Sequence, residues 1–209
     1  GYRIAMRDLE IRGAGNLLGE RQSGHMEAVG YDLYCKMLNQ AVMEAKGEKI
    51  QEDFETSVDI DIDAFIPSAY IKNEFQKLDM YKRIASIQNA DEYGEMLDEL
   101  IDRFGELPKP AANLLLVALI RAEAHAAGVV QLVHKEKETR IYMHERADVD
   151  VAAIPDFLAE YGRRIQFKAT AKNPYFLVNM NGFKGQGLLL EEKSLVENML
   201  RILCHKELN

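Results

Sequence analysis

Between residues 58 and 64 the chain alternates: Val58, Ile60, Ile62 and Ala64 are apolar, and Asp59, Asp61 and Asp63 are acidic. A period of two is that of a strand with one buried face, and Pro67 ends it. From Ala69 to Gln88 the period lengthens, because Ile71, Phe75, Leu78, Tyr81, Ile84 and Ile87 recur every three or four residues and predict a helix with those side chains inward. Asn89 followed by Glu92 has the form of a capping box, opening a helix that closes at Phe104-Gly105. Pro108 and Pro110 start the next one, which runs to Gly128. Val129–Val133 and Arg140–His144 predict a hairpin, Ala153–Tyr161 a short helix, Arg164–Ala169 and Tyr175–Met180 two strands, and Leu188–Cys204 a last helix. The segment NGFKGQG, with Gly182, Gly185 and Gly187, reads as the turn before that helix. This region is therefore α+β, helices first and a small, mainly antiparallel sheet later.

The first fifty residues follow another pattern. Gly1–Glu10 is short, mixed and helical in character, and Arg12–Gly24 holds Gly13, Gly15, Gly19 and Gly24, which is loop chemistry. Met26–Ala45 places Val29, Leu33, Met37, Leu38, Ala41 and Val42 on one helical face. The polar stretch Lys46–Thr56 marks a boundary, so two units are expected, 1–50 and 51–209. The chain opens on Gly1 in the middle of a structured pattern, and we expect a piece of something longer.

Charge separates the two units. Residues 1–50 carry seven basic and seven acidic side chains, so the remaining 159 residues carry the whole net charge of −8. Phosphate backbones need a basic footprint, which makes the second unit a poor nucleic-acid binder unaided and a better match for a basic protein surface. The longest apolar run, Leu114–Ile120, is too short to span a membrane, and there is no secretory leader pattern. Cys35 and Cys204 have no CxxC or zinc spacing, which fits a reducing cytoplasm without a metal site. There is no phosphate loop, HExxH or GxSxG, and Gly13, Gly15 and Gly19 miss the dinucleotide spacing by one residue. His25, His125, His134, His144 and His205 are scattered and read as surface or capping residues, with His125 in the last turn of its helix.

Two features carry candidate chemistry. The glycine-rich loop with Arg12, Arg21, Gln22 and Ser23 offers backbone N–H groups and fixed charges suited to phosphate contact, and equally a surface crossover whose arginines pair with Asp8 and Glu10. On the helix Ala90–Phe104, at 100° per residue, Tyr93, Leu97, Leu100, Ile101 and Phe104 share one face. Glu95, Asp98, Glu99 and Asp102 form a stripe opposite. That stripe either awaits a basic partner or is solvated and paired with Lys77, Lys82 and Arg83 of the preceding helix.

Residues 1–45, with the string IAMRDLEIRGAGNLLGERQSGHMEAVGYDLYCKMLNQAV, resemble the end of the second motor domain of bacterial transcription-repair coupling factors, including the translocation motif they share with RecG-type helicases. The continuation through VDIDIDAFIPSAYI, YKRIAS and ELIDRFGELP resembles the C-terminal domain of the same family, closely to about Gly128 and loosely beyond. The resemblance implies a large ATP-driven double-stranded DNA translocase that displaces RNA polymerase stalled at lesions and recruits the excision-repair protein UvrA. It implies that Arg12, with Gly13, Gly15 and Gln22 of the same motif, couples ATP hydrolysis to translocation. ATP and magnesium would bind in motor elements this sequence lacks, so the chain alone is expected to be catalytically silent. The resemblance further implies that the C-terminal domain latches the N-terminal UvrA-binding domain of the same protein through Glu99 and Asp102. Two alternatives stay open, a stand-alone interaction domain without enzymatic activity and the tail of a RecG-type fork-remodelling helicase.

Overall fold

The computed structural model describes residues 54–169 and 172–208. Five strands form one sheet: β1 (Ser57–Ile60), β2 (Val129–Lys135), β3 (Glu138–Met143), β4 (Ile165–Lys168) and β5 (Tyr175–Asn179). Their order is β1-β2-β3-β5-β4; β1 runs parallel to β2 and every other pair is antiparallel. The helices are α1 (Glu74–Ala85), α2 (Ala90–Phe104), α3 (Lys109–Ala126), α4 (Ile154–Tyr161) and α5 (Gly185–Asn198), the last continuing through a π turn, Met199–Leu203. The architecture is the expected α+β. The order is not simply helices then sheet, because β1 precedes α1–α3 and returns beside β2, which requires a parallel crossover.

α3 is the spine. Every residue from Leu114 to Ile120 is buried, as befits a helix apolar on all sides, and it touches α1, α2, α5, β1 and β2. The inner sheet face carries Val58, Leu132, Ile141, Phe176, Val178 and Ile165, each at most 5% exposed. At its far end Phe176 meets Phe157 of α4 edge-on, with ring centroids 5.2 Å apart, and Phe167 of β4 at 4.7 Å. The β1 strand ends at Ile60 because the chain then leaves the sheet for the helices. There Phe65 N–H donates to Pro110 C=O (3.1 Å), Asn113 Nδ2 to Asp63 C=O (3.0 Å), and Ile66 N–H to the buried Tyr81 hydroxyl (2.8 Å). Gly128, at φ +83°, turns α3 into β2; a Cβ there would lie 2.5 Å from that of Ala147.

Several expectations need correction. The helix predicted over 69–88 is shorter, because Asn73 caps it through Phe75 and Gln76 N–H and Ser86 closes it. Phe75, expected inward, is 70% exposed, and Met80 takes the inner position. On α2 Ile101 is 46% exposed and Met96 is buried instead. The Asn89 cap forms with Glu92 N–H (2.9 Å), but the Glu92 carboxylate reaches Gln88 N–H rather than that of Asn89. Gly185 and Gly187 lie in the first turn of α5, so the turn is shorter than the seven-residue segment. His134 is buried, not superficial, because the alternation of β2 places it with Leu132 on the inner face. Burial lowers its pKa.

Two carboxylates sit in this core. Glu192 of α5 is fully buried; Thr139 Oγ1 donates to one carboxyl oxygen in a short hydrogen bond, and the other oxygen has no partner. Burial pushes its pKa up to about 8, and burial together with nearby Glu197 does the same to Glu123 of α3. The unfolded chain releases these protons near 4.5 while the folded chain keeps them to about 8. Between those values the folded state binds more protons, so stability falls as pH rises. Glu192→Gln keeps an acceptor for Thr139 and cannot ionise. Urea unfolding from pH 5 to pH 8 should show a shallower loss of stability in the variant, the wild-type slope per buried acid being at most about 1.4 kcal/mol per pH unit. Glu123 leaves a residual slope of the same sign.

Candidate interaction surface

The candidate surface is the outer face of α2. Its inner face is fixed by Met96 and Leu100, with Tyr93, Leu97 and Phe104 partly buried beside them. Its C-terminal end is pinned by the Tyr70 hydroxyl, which lies 3.0 Å from Leu100 C=O and 2.8 Å from Gly105 C=O. Gly105 leaves the helix at φ +90° while its N–H still donates to Ile101 C=O (2.9 Å). With 3.6 residues per turn, this anchoring turns Glu95, Asp98 and Asp102 outward, and all three are exposed.

Glu99 differs from its neighbours. Arg83 of α1 grips it with both terminal nitrogens: Nη1 donates to Oε2 in a short contact and Nη2 to Oε1 at 2.7 Å. Arg103, one turn along α2, donates to Oε2 at 3.2 Å. The Arg83 hydrogen bonds hold the Glu99 carboxyl below its ordinary pKa, and Glu99 in turn raises that of Arg83. The side chains are 42% and 33% exposed, so solvent screens the pair and its contribution to stability is small, about 0–1 kcal/mol. Its effect is geometric: a two-pronged grip fixes the carboxylate orientation. A carboxylate has about four acceptor positions, of which three are used here, so one stays available to a partner.

Glu99 and Asp102 therefore share one helix face but not one environment. Asp102, like Asp98, has no ion-pair partner among the described residues. The expected pairing of the stripe with α1 is realised at Arg83 and Glu99. Arg103 joins the site unexpectedly, although its spacing of four from Glu99 is the ordinary signal for a helical ion pair. Asp98, seen only as part of the stripe, is as open as Asp102. Arg12, Gly13, Gly15 and Gln22 lie outside the described residues, as does the boundary near residue 50. Among the described residues no group of His, Cys, Asp and Glu could hold a metal ion, and no helix is long and apolar enough to cross a membrane.

Comparison with known proteins places this surface in a family. The model of the TRCF domain matches residues 60–154, from the end of β1 to the first residue of α4, and so contains the whole acidic helix. The chain is 44% identical over 169 residues to the transcription-repair-coupling factor of Bacillus subtilis, covering 79% of this chain and 14% of that protein. It is 41% identical over 153 residues to that of Staphylococcus aureus, covering 72% of this chain and 13% of the relative. The chain thus spans about a seventh of the curated relatives it matches. Its fold matches a crystal structure of the C-terminal domain of transcription-repair coupling factor, with a TM-score of 0.68 at 24% identity, covering 76% of this chain and 100% of the other. By its domain match and its curated relatives, the chain carries a TRCF domain over residues 60–154 and is similar over most of its length to transcription-repair-coupling factors.

Proposed function

We propose that this chain is the regulatory end of a transcription-repair-coupling factor and acts in transcription-coupled DNA repair. In the whole protein an ATP- and magnesium-dependent motor would move along double-stranded DNA, displace stalled RNA polymerase and recruit UvrA. Arg12, with Gly13, Gly15 and Gln22, would couple hydrolysis to that movement. The TRCF domain would be the latch: its acidic helix holds a basic surface of the N-terminal UvrA-binding domain, and UvrA recruitment waits for release. The observation that carries this reading is the outer face of α2, where Asp98 and Asp102 stand without ion-pair partners among the described residues beside a Glu99 whose orientation is fixed by two arginines. A charge row built on a helix committed to the core can engage and release a partner without disturbing the fold.

The experiment is association in trans. The 209-residue chain should bind the separately prepared N-terminal domain saturably at about 50 mM salt, and weaken markedly by about 300 mM as the Debye length shrinks. Asp98→Lys with Asp102→Lys should abolish binding. Equal binding by wild type and variant would assign the contact to another surface.

A further inference from the structure

Among the described residues the helices cover one face of the sheet and none covers the other. On the inner face the central side chains are buried, whereas on the outer face no residue is. Cross-strand register assembles that outer face from partners in three neighbouring strands. Tyr142 of β3 stands opposite Tyr175 of β5, which stands opposite Lys168 of β4; Arg140 stands opposite Leu177, which stands opposite Gln166. The Tyr142 and Tyr175 rings are 5.0 Å apart between centroids, and the Arg140 guanidinium lies 5.4 Å over the Tyr175 ring.

Two residues further along the strands the face runs into a cleft of about 280 Å³, lined by Lys137, Arg163, Arg164, Gln166 and Asn179 among others. Arg164 is anchored there by Glu191 (3.1 Å) and Asn179 C=O (3.3 Å), while Arg163 is exposed and has no ion-pair partner among the described residues. In a chain of net charge −8, this face and its rim carry Lys168 beside the tyrosine row, Arg140 in the middle, and Lys135, Lys137 and Arg163 towards the cleft, against Asp59 of β1 and against Glu136 and Glu138 at the cleft end, Glu138 being a loose 3.9 Å from Arg140. The overall acidity therefore averages over two unlike surfaces.

We infer that this open sheet face binds single-stranded nucleic acid, with bases stacking on Tyr142 and Tyr175 and the backbone running from Lys168 and Arg140 towards the Arg163 cleft. Aromatic side chains on a solvent-facing sheet offer a surface to every base, and scattered cations follow the phosphates; a flat sheet with tyrosines cannot enter a duplex groove in the same way. The distance from the tyrosine row to the cleft is four residues along β5, about 13 Å, enough for a short run of unpaired nucleotides. This site is separate from the acidic helix and goes beyond the latch.

The test is fluorescence anisotropy of a labelled oligothymidine of about 12 nucleotides with the 209-residue chain at low salt. Saturable binding should appear, at least about tenfold tighter than to a duplex of equal length, and weaken with salt. Tyr175→Leu and Arg140→Ala should each weaken it about 5–20-fold with an unchanged melting temperature, and Tyr175→Phe should retain it. Asp98→Asn with Asp102→Asn should leave it unaltered, so failure of the latch does not touch this result. Absence of saturation, equal affinity for duplex, an inert Tyr175→Leu, or displacement by polyglutamate as effective as by unlabelled oligonucleotide would each overturn the inference; the last would assign the face to an acidic protein.

Discussion

Phe176→Ala should lower the stability of the described domain by about 3–5 kcal/mol, enough to remove most of the 5–15 kcal/mol that a domain has in total. Phe176 is 1% exposed on the inner face of β5, and its ring meets those of Phe157 from α4 and Phe167 from β4. Truncation removes both ring contacts. The sheet cannot close over the space, because its backbone is fixed by ladders to β3 and β4. At about 2–4 °C per kcal/mol for a domain of this size, the melting temperature should fall by roughly 10 °C. The matched control is Phe75→Ala on α1. That ring is 70% exposed, so its removal should change stability by no more than about 0.5 kcal/mol. Calorimetry of both variants checks the pair, and equal losses would contradict this assignment of the core.

That contrast also shows what could be read in the sequence. The strands and helices were legible because their periods differ, and even the ends of α2 followed from Asn89 and Gly105. The side chains facing inward on α1 were less so. At 100° per residue each three-residue step moves about 60° around the helix, so the series Phe75, Leu78, Tyr81, Ile84 walks half-way round. Its first member ends up opposite its last. The core direction is set by the packing of α1 on α3, which leaves Met80, Tyr81 and Ile84 buried, and that is a tertiary fact. The same holds for Ile101 and Met96. The place of β1 beside β2 was likewise hidden, since alternation gives a strand but not its neighbour. At the candidate surface the acidic row was visible as spacing. The Arg83 grip was only one of several pairings that the preceding helix could offer, and it required the packing of α1 on α2 to select it.

The second large effect belongs to the proposed latch. A latch closed about 99% of the time is held by about 2.7 kcal/mol relative to its open form. Truncating one member of a desolvated, hydrogen-bonded charge pair costs about 2–5 kcal/mol, so removing the contacts of Glu99 and Asp102 is enough to make the open form dominant. A ligand that binds only the open form then gains apparent affinity up to about 100-fold, the limit set by the closed fraction. The two residues contribute unequally. Asp102 has no ion pair to lose among the described residues, so in the proposed latch its removal would act on the partner alone. Glu99 also holds Arg83 and Arg103, but these pairs are solvent-screened, and Glu99→Gln should leave the domain's melting temperature within a few degrees. A lysine at Glu99 would place three cations together and confuse folding with release.

The most direct measurement is therefore the affinity of full-length protein for UvrA, in wild type and in Glu99→Gln with Asp102→Lys, at one salt concentration and with melting temperatures recorded. The latch predicts tighter UvrA binding in the double variant, by at least about tenfold, with the TRCF domain still folded. Unchanged UvrA affinity in a folded double variant would contradict it and leave the acidic face of α2 as a solvated helix surface.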